Sequence, residues 1–534
     1  MLATTKYITS RKPIKFSKEA RVILIVLSIA LILVLFILIR WNCYNVPFDR
    51  DEGEYAYSAW IMREGVAPYK NSFLQKPPLI VYTYYLAQLI SSDSLWPPRL
   101  LATLFLAGTV ILVGLIAYKE AGKRAGIVAS ALLTAMFSFP YLMVNSANTE
   151  EFMLLPLLGL LALYVFFKDK PIWWHWGLAG VLAATSLLYK PIGVFVILFI
   201  LIYWLWGEYK GKNDYRRLLI TIGQILTGFI LVILASLGYY FVKGGVRELF
   251  ESAVVFNLYY ANEQGYGFSA MVPHLQLFFK DWWALILLSG YYVFIRPRNF
   301  WFYAGLLFFA LLGIYQSAVG HYYIALLPFW ALFLTFALER VLRGKLIQKY
   351  ININLFASLL LVFLIFIIIY PIRTQYTKTS KELSLWIYDK DNPFTESKII
   401  ADKIDQYSTA GDTIYIAGSE PQILWYAKRM SPTRFVITYP HSMNTEKAVV
   451  YQKEVISDLG DSSPKMIVLS QRQSSGFVGR NSSTLLFNYL MAMITDDYEL
   501  KGGYVWYDGS SGAWQDEFGE DEIGEASLLV FVKK

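Results

Sequence analysis

From residue 22 to residue 371 the chain is a succession of long apolar runs separated by short charged turns. No soluble fold absorbs that pattern. A helical run of about 20 apolar residues matches the ~30 Å hydrocarbon core of a bilayer. Lipid offers backbone groups no hydrogen-bond partners, so the runs must be helices. Composition agrees: 56% of residues are hydrophobic and 16% are charged, against ~25% charged in a soluble protein. The expected fold is an all-α polytopic membrane domain with membrane lipids as partners. The net charge of +8 lies largely in the turns, where it sets orientation. It is not a nucleic-acid signature, and no nucleic-acid partner is expected. The one cysteine, Cys43, excludes an intrachain disulfide.

The tail, residues 1–21, carries Lys6, Arg11, Lys12, Lys15, Lys18 and Arg21 against Glu19, which predicts a cytoplasmic N-terminus. Residues 22–39 lack a small-residue cleavage site and read as a span, not a removed signal. Spans are expected at about 22–41, 98–118, 125–144, 152–167, 172–189, 192–207, 218–242, 282–295, 300–318, 322–338 and 352–371, or about 11 in all. The run 78–90 is too short to cross. Its Tyr82, Tyr84 and Tyr85 suit a helix lying at the interface. With that run left out of the count, every inner turn is basic: Lys119, Lys123 and Arg124; Lys168 and Lys170; Arg296 and Arg298; Arg340, Arg343, Lys345 and Lys349. A multi-pass protein of the plasma (inner) membrane follows.

Three regions result: the tail, a membrane domain over 22–372 with an outer loop at 42–97, and a polar region over 373–534 outside the membrane. In the last, TIYIAG and KMIVLS read as buried strands, and SKIIADKIDQYS and EPQILWYAKR have helical spacing. This predicts a C-terminal soluble α/β domain large enough for its own core. It has no acidic pair comparable to the first loop and is expected to lack the chemistry. A long outer loop, 243–280, carries Gly244, Gly245, Gly265 and Gly267 with Phe256, Tyr259, Tyr260, Tyr266 and Phe268. It reads equally as a mobile gate or an aromatic interfacial belt.

Chemistry concentrates in residues 45–79, NVPFDRDEGEYAYSAWIMREGVAPYKNSFLQKPPL. Four carboxylates stand between Asp49 and Glu54. Burying one unpaired charge in lipid costs about 2.5 kcal/mol or more, so the cluster faces water or forms a polar site at the membrane surface. The bland alternative is a solvated loop balanced by Arg50, Arg63, Lys70 and Lys76. Two features favour a site. Asp51 and Glu52 abut Gly53, Tyr55 and Tyr57, a suitable start for a structured helix. A second acidic pair, Glu150 and Glu151, falls on the same face by the span count. Two carboxylate sites on one face can share a cleft, one as base and one as orienting group. Lys76 precedes two prolines that suit a first helical turn. It is either a snorkelling lysine or a cation that neutralises a lipid phosphate leaving group. Lys190 and the run His321-Tyr322-Tyr323 fall at outer ends of spans, as interface anchors or as members of the site.

The run DEGEYAY, then GVAPYKN, then KPPL resembles the first outer loop of GT-C fold glycosyltransferases. The branch is that of the dolichyl-phosphate-mannose protein mannosyltransferases, with the bacterial aminoarabinose lipid A transferases and the rhizobial lipopolysaccharide core transferases. The resemblance continues through PPRLLATL, ANTEEFMLL, LLYKP and HYYIALLPFWAL, and GDTIYIAGSEPQILWYAKR resembles the outer domain of some bacterial members. It implies a sugar on a polyprenyl phosphate as donor and a hydroxyl of a lipid, glycan or protein as acceptor. The catalytic positions it implies are Asp51, as base, with Glu52, Glu150 and Glu151. This chain has Glu150 where other members have Asp, and Glu151 beside it leaves two candidates. Lys76, Lys190, His321, Tyr323 and Tyr55 are the substrate-binding candidates. Metal use varies in the superfamily. Asp51 and Glu150 could hold a divalent ion through oxygen ligands, although no spacing demands one. Two rivals remain: a flippase of lipid-linked sugars, disfavoured by span interiors nearly free of charge, and a non-catalytic membrane scaffold.

Overall fold

Six helices of the computed structural model are long and apolar enough to cross a membrane: Trp96–Ala121, Thr149–Phe167, Pro191–Gly211, Tyr215–Lys243, Gly320–Leu342 and Leu355–Thr377. A seventh candidate is the pair Val272–Asp281 and Trp283–Ile295, which meet at 97°. Lys123–Met136, Trp173–Tyr189 and Phe300–Gly313 are shorter helices where further spans were expected. The structure describes residues 36–142, 145–263, 268–297, 299–315, 319–344, 352–479, 481–507, 511–518 and 523–534, with Ser17, Ala30 and Val34. The N-terminal tail, most of the first expected span, Gly265, Tyr266, Gly267, Arg298, Lys345 and Lys349 lie outside these residues. The helices Trp173–Tyr189 and Tyr215–Lys243 cross on glycine. A Cβ at Gly180 or Gly228 would overlap the backbone of the facing helix, the close approach that small residues allow in lipid.

The bundle has two chemically distinct ends. Trp96–Ala121 rises ~1.5 Å per residue, so its ends are far apart. At its C-terminal end Glu120 accepts from Lys168 at 3.3 Å and from Asn299 at 2.7 Å, and Arg124 grips Glu339 through two bonds of 2.6 and 2.7 Å. Its N-terminal end carries Arg99 and faces the acidic loop. That loop contains the helix Arg50–Arg63, whose first N–H groups are capped by Asp49, which accepts from the Glu52 N–H at 2.8 Å. Asp51 and Glu52 stand in the first turn, where the helix dipole favours negative charge. Gly65, at φ +82°, turns the chain away after the helix. Despite its polar sequence, this helix is buried from Glu52 to Met62. The run expected at the interface forms the short helix Leu79–Ile90.

The C-terminal region is the expected α/β domain. Its sheet runs β1 (Ile414–Ala417), β2 (Met466–Ser470), β5 (Ala526–Lys533), β3 (Tyr498–Trp506) and β4 (Gly512–Gln515) in spatial order. The β1–β2 pair is parallel and the others are antiparallel. Side chains alternate between faces along a strand. Ile414 and Ile416 join a core continuous with the membrane domain, while Tyr415 and Ala417 join one closed by Tyr451, Val455, Leu459, Leu486 and Leu490.

The domain sits directly on the acidic helix. Gly53 packs against Gln422, and a Cβ there would come within 2.7 Å of the Gln422 backbone nitrogen. The Phe48 N–H donates to the Tyr426 hydroxyl at 3.0 Å, and the Ser431 N–H donates to the Tyr57 hydroxyl at 2.9 Å. The segment expected as a long outer loop is largely helical. Gly244 and Gly245, at φ +79° and +105°, turn the chain into the helix Val246–Phe250, a π turn at Glu251–Val255 and the helix Phe256–Glu263. Glu251 ties this segment to the C-terminal domain, accepting from Tyr451 at 3.1 Å and pairing with Lys447 at 3.1 Å and Arg434 at 3.4 Å. Among the described residues this segment is therefore a pinned helical strap, not an open loop.

Candidate active site

A cavity of about 420 Å³ opens at the end of the bundle beside the acidic helix. Asp51, Lys76, Lys190, His321, Tyr322 and Tyr439 line it. They arrive from separate parts of the chain. Asp51 is held by the first turn of the acidic helix. Lys76 precedes Leu79–Ile90, Lys190 follows Trp173–Tyr189, and His321 lies in the 3-10 turn that begins Gly320–Leu342.

The charges are arranged in two layers. In the rear layer Glu150 is fully buried, with Lys190 Nζ 2.6 Å and His321 Nε2 3.6 Å from its Oε1. In the front layer His321 Nε2 stands 4.0 Å from Asp51 Oδ2. Burial alone would push the Asp51 carboxyl up, but Lys76, then His321 and Lys190, outweigh it and hold Asp51 below the usual carboxylate range. Burial works against the Lys76 charge, and Asp51, with Tyr322 and Glu54, more than reverses that and pushes the ammonium up. Asp51 and Lys76 thus hold each other ionised. The Lys190 ammonium also lies over the Tyr322 ring, 3.9 Å from its centre.

The other acidic candidates do not line the cavity. Glu52 is fully buried, and Arg99 takes both its oxygens, with Nε 2.9 Å from Oε1. Oε1 also accepts from the Ala147 N–H at 2.9 Å. Glu52 therefore joins the acidic helix to the start of Trp96–Ala121 and to the segment that leads to Glu150. Glu151 is buried and neither of its oxygens has a hydrogen-bond partner among the described residues. Tyr55 is buried against Tyr84. Tyr323 is buried and packs on His274 and Phe278, while its neighbour Tyr322 reaches the cavity.

Sequence reasoning passed over Tyr439 and Asn257, which line the cavity together with Tyr260 of the 243–280 segment. Tyr439 belongs to the C-terminal domain, so that domain forms part of the wall. Arg50 of the acidic helix reaches the same domain, where its Nε donates to the Ser419 carbonyl at 2.6 Å and its Nη2 donates to Glu420 at 3.1 Å. The signal was weak: in TYPHS, Tyr439 is one tyrosine among 39.

Residues 75–240 match the dolichyl-phosphate-mannose-protein mannosyltransferase family. An uncharacterized protein of Aquifex aeolicus is 26% identical over 382 residues, which is 67% of this chain and 84% of that protein. The structure superimposes on apo ArnT of Cupriavidus metallidurans with TM-score 0.60 at 14% identity, covering 96% of this chain and 98% of that one. Against ArnT of the same organism bound to undecaprenyl phosphate the TM-score is 0.59 at 13% identity, with the same coverage. The fold is the one that these ArnT structures have, the GT-C fold.

In this GT-C frame the cavity offers an ionised carboxylate, two lysines and a histidine at the end of the membrane helices. It does not suit a divalent ion. Lys190 already neutralises Glu150, Lys76 acts on Asp51, and no group of three His, Cys, Asp or Glu ligands meets among the described residues.

Proposed function

We propose that the chain is a membrane glycosyltransferase that moves a sugar from a polyprenyl-phosphate donor to a hydroxyl of a lipid, glycan or protein at the outer face of the membrane. The observation that carries this reading is one cavity lined by Asp51, Lys76, Lys190 and His321, with His321 Nε2 4.0 Å from Asp51 Oδ2. Asp51 takes the proton of the acceptor hydroxyl as its oxygen attacks the anomeric carbon. The bond from that carbon to the phosphate oxygen breaks, and the lipid phosphate leaves with the electron pair. Lys76, supported by Lys190, meets the negative charge that builds on the leaving group. A donor phosphate also competes with Asp51 for Lys76. Asp51 then loses part of its counter-charge and becomes a stronger base once the donor is seated.

A reaction at the headgroup level suits a donor whose lipid chain stays in the bilayer. The reading places the N-terminus in the cytoplasm, the Asp51 cavity and the C-terminal domain outside, and the chain in the inner membrane. Purified protein in proteoliposomes, given labelled polyprenyl-phosphate sugars and an envelope extract, should move label to the extract, and Asp51→Asn protein should not. Movement of intact donor between leaflets without transfer would favour a flippase. A reporter active only in the cytoplasm, fused after Lys534, should be silent.

A further inference from the structure

The polar lining of the cavity falls into two sets. Asp51, Lys76, Lys190 and His321 are committed to the proton and the phosphate. The rest, Gln75, Asn257, Tyr260, Tyr315, Tyr322 and Tyr439, is uncharged. Among the described residues Asp51 is the only carboxylate in the lining, since Glu150 lies fully buried behind Lys190 and His321. We propose that the sugar carried by the donor is neutral, a hexose or pentose bearing neither an ammonium nor a carboxylate. This rests on the glycosyltransferase reading above.

The argument is one of charge pairing. A sugar ammonium entering the cavity finds, among the described residues, one available carboxylate, Asp51. Pairing there would occupy the base and set a third cation beside Lys76 and Lys190. A sugar carboxylate would face Asp51 and the donor phosphate with both lysines already engaged. Either charge would lack a counter-charge that the reaction leaves free, which is unfavourable where the group is removed from water. Neutral hydroxyls meet suitable partners instead. Asn257 is fixed by its Nδ2, which donates to the Gln75 carbonyl at 2.7 Å and to the Ala253 carbonyl at 2.8 Å. Its side-chain oxygen remains as an acceptor. Tyr439 lines the cavity from the C-terminal domain. Tyrosine rings also supply apolar faces for the C–H surface of a sugar.

Binding of labelled undecaprenyl phosphate to the purified full-length protein tests this, with three competitors: undecaprenyl phosphates bearing a neutral hexose, a 4-amino-4-deoxypentose and a uronic acid. The hexosyl lipid should displace the label at about tenfold lower concentration than either charged one, a margin typical of an uncompensated charge. A charged competitor that equals or exceeds the neutral one overturns the proposal while leaving the polyprenyl donor reading intact. Failure of undecaprenyl phosphate itself to bind removes both. Gln75→Glu, nearly isosteric, adds a carboxylate to the lining and should narrow the gap between the aminopentosyl and hexosyl lipids. An unchanged gap in that variant, with the label still bound, would show that charge pairing does not set the preference.

Discussion

Lys190 stands 2.6 Å from Glu150 at the back of the cavity, and both are almost fully buried. Removing one partner of such a pair strands the other, typically at about 3–5 kcal/mol, whereas removing both charges with volume kept is often close to neutral. Lys190→Ala should therefore lower the melting temperature in detergent markedly. The double variant Lys190→Met with Glu150→Gln should recover much of that loss without recovering transfer.

Asp51→Asn keeps the size of the side chain and removes the proton acceptor. Transfer should fall by about 10²–10⁴-fold, the usual worth of a general base. Binding of undecaprenyl phosphate and the melting profile should stay close to those of the unaltered protein. A folded Asp51→Asn protein with near-normal turnover would show that another group takes the proton.

The pH profile separates Asp51 from Lys76. A base works only when deprotonated, and in the free protein Asp51 stays ionised to below the usual carboxylate range. So kcat/KM should be flat through mildly acidic pH and fall only in stronger acid. In Lys76→Ala protein, burial loses its main opponent, the carboxyl moves up, and the acid limb should shift to higher pH. Donor affinity and turnover should both drop in that variant, because the leaving phosphate loses its counter-charge.

Glu52→Gln addresses the neighbouring carboxylate. Arg99 would keep its charge, 2% exposed, without its partner. The expected result is poor folding yield and a lowered melting temperature, with activity per folded molecule affected far less than in Asp51→Asn. Size-exclusion profiles and active-site titration distinguish the two.

His441 gives the C-terminal domain its own acid sensitivity. Burial pushes this imidazole from 6.5 down to about 3, between the rings of Phe435 and Phe477. The unfolded chain takes up a proton near pH 6.5 that the folded chain accepts only near 3. Stability from this group is complete above 6.5 and is lost as pH falls towards 3. Melting curves from pH 7 to 4 should show a smaller acid loss in His441→Gln than in the unaltered protein.

Much of this organisation was legible in the sequence because lipid imposes so strict a pattern. Apolar runs with basic ends marked where long apolar helices lie, and Glu150, Lys190 and His321, which end such runs, stand beside Asp51 in the structure. Partnership was less legible. Arg99 opens an apolar run and resembles a headgroup anchor, yet it is the counter-ion of Glu52. Tyr322 and Tyr323 are adjacent, and only the phase of a 3-10 turn decides which reaches the cavity. Tyr439 comes from a different domain and carries no local signature. The strap after Gly244 looked loop-like because glycines and aromatics resemble a flexible belt, and its order comes from Glu251 meeting Arg434, Lys447 and Tyr451.

The absent side chain at Gly53 works as a rivet. With no methyl group there, the backbone of Gln422 lies against the helix that carries Asp51. Helix and domain share one seam and have no hinge between them at that point. Through Glu251, the strap is fastened to the same domain. Acidic helix, domain and strap thus line the cavity fastened to one another, and Ile192, Gly313, Ile314 and Tyr322 complete its lining from the membrane helices.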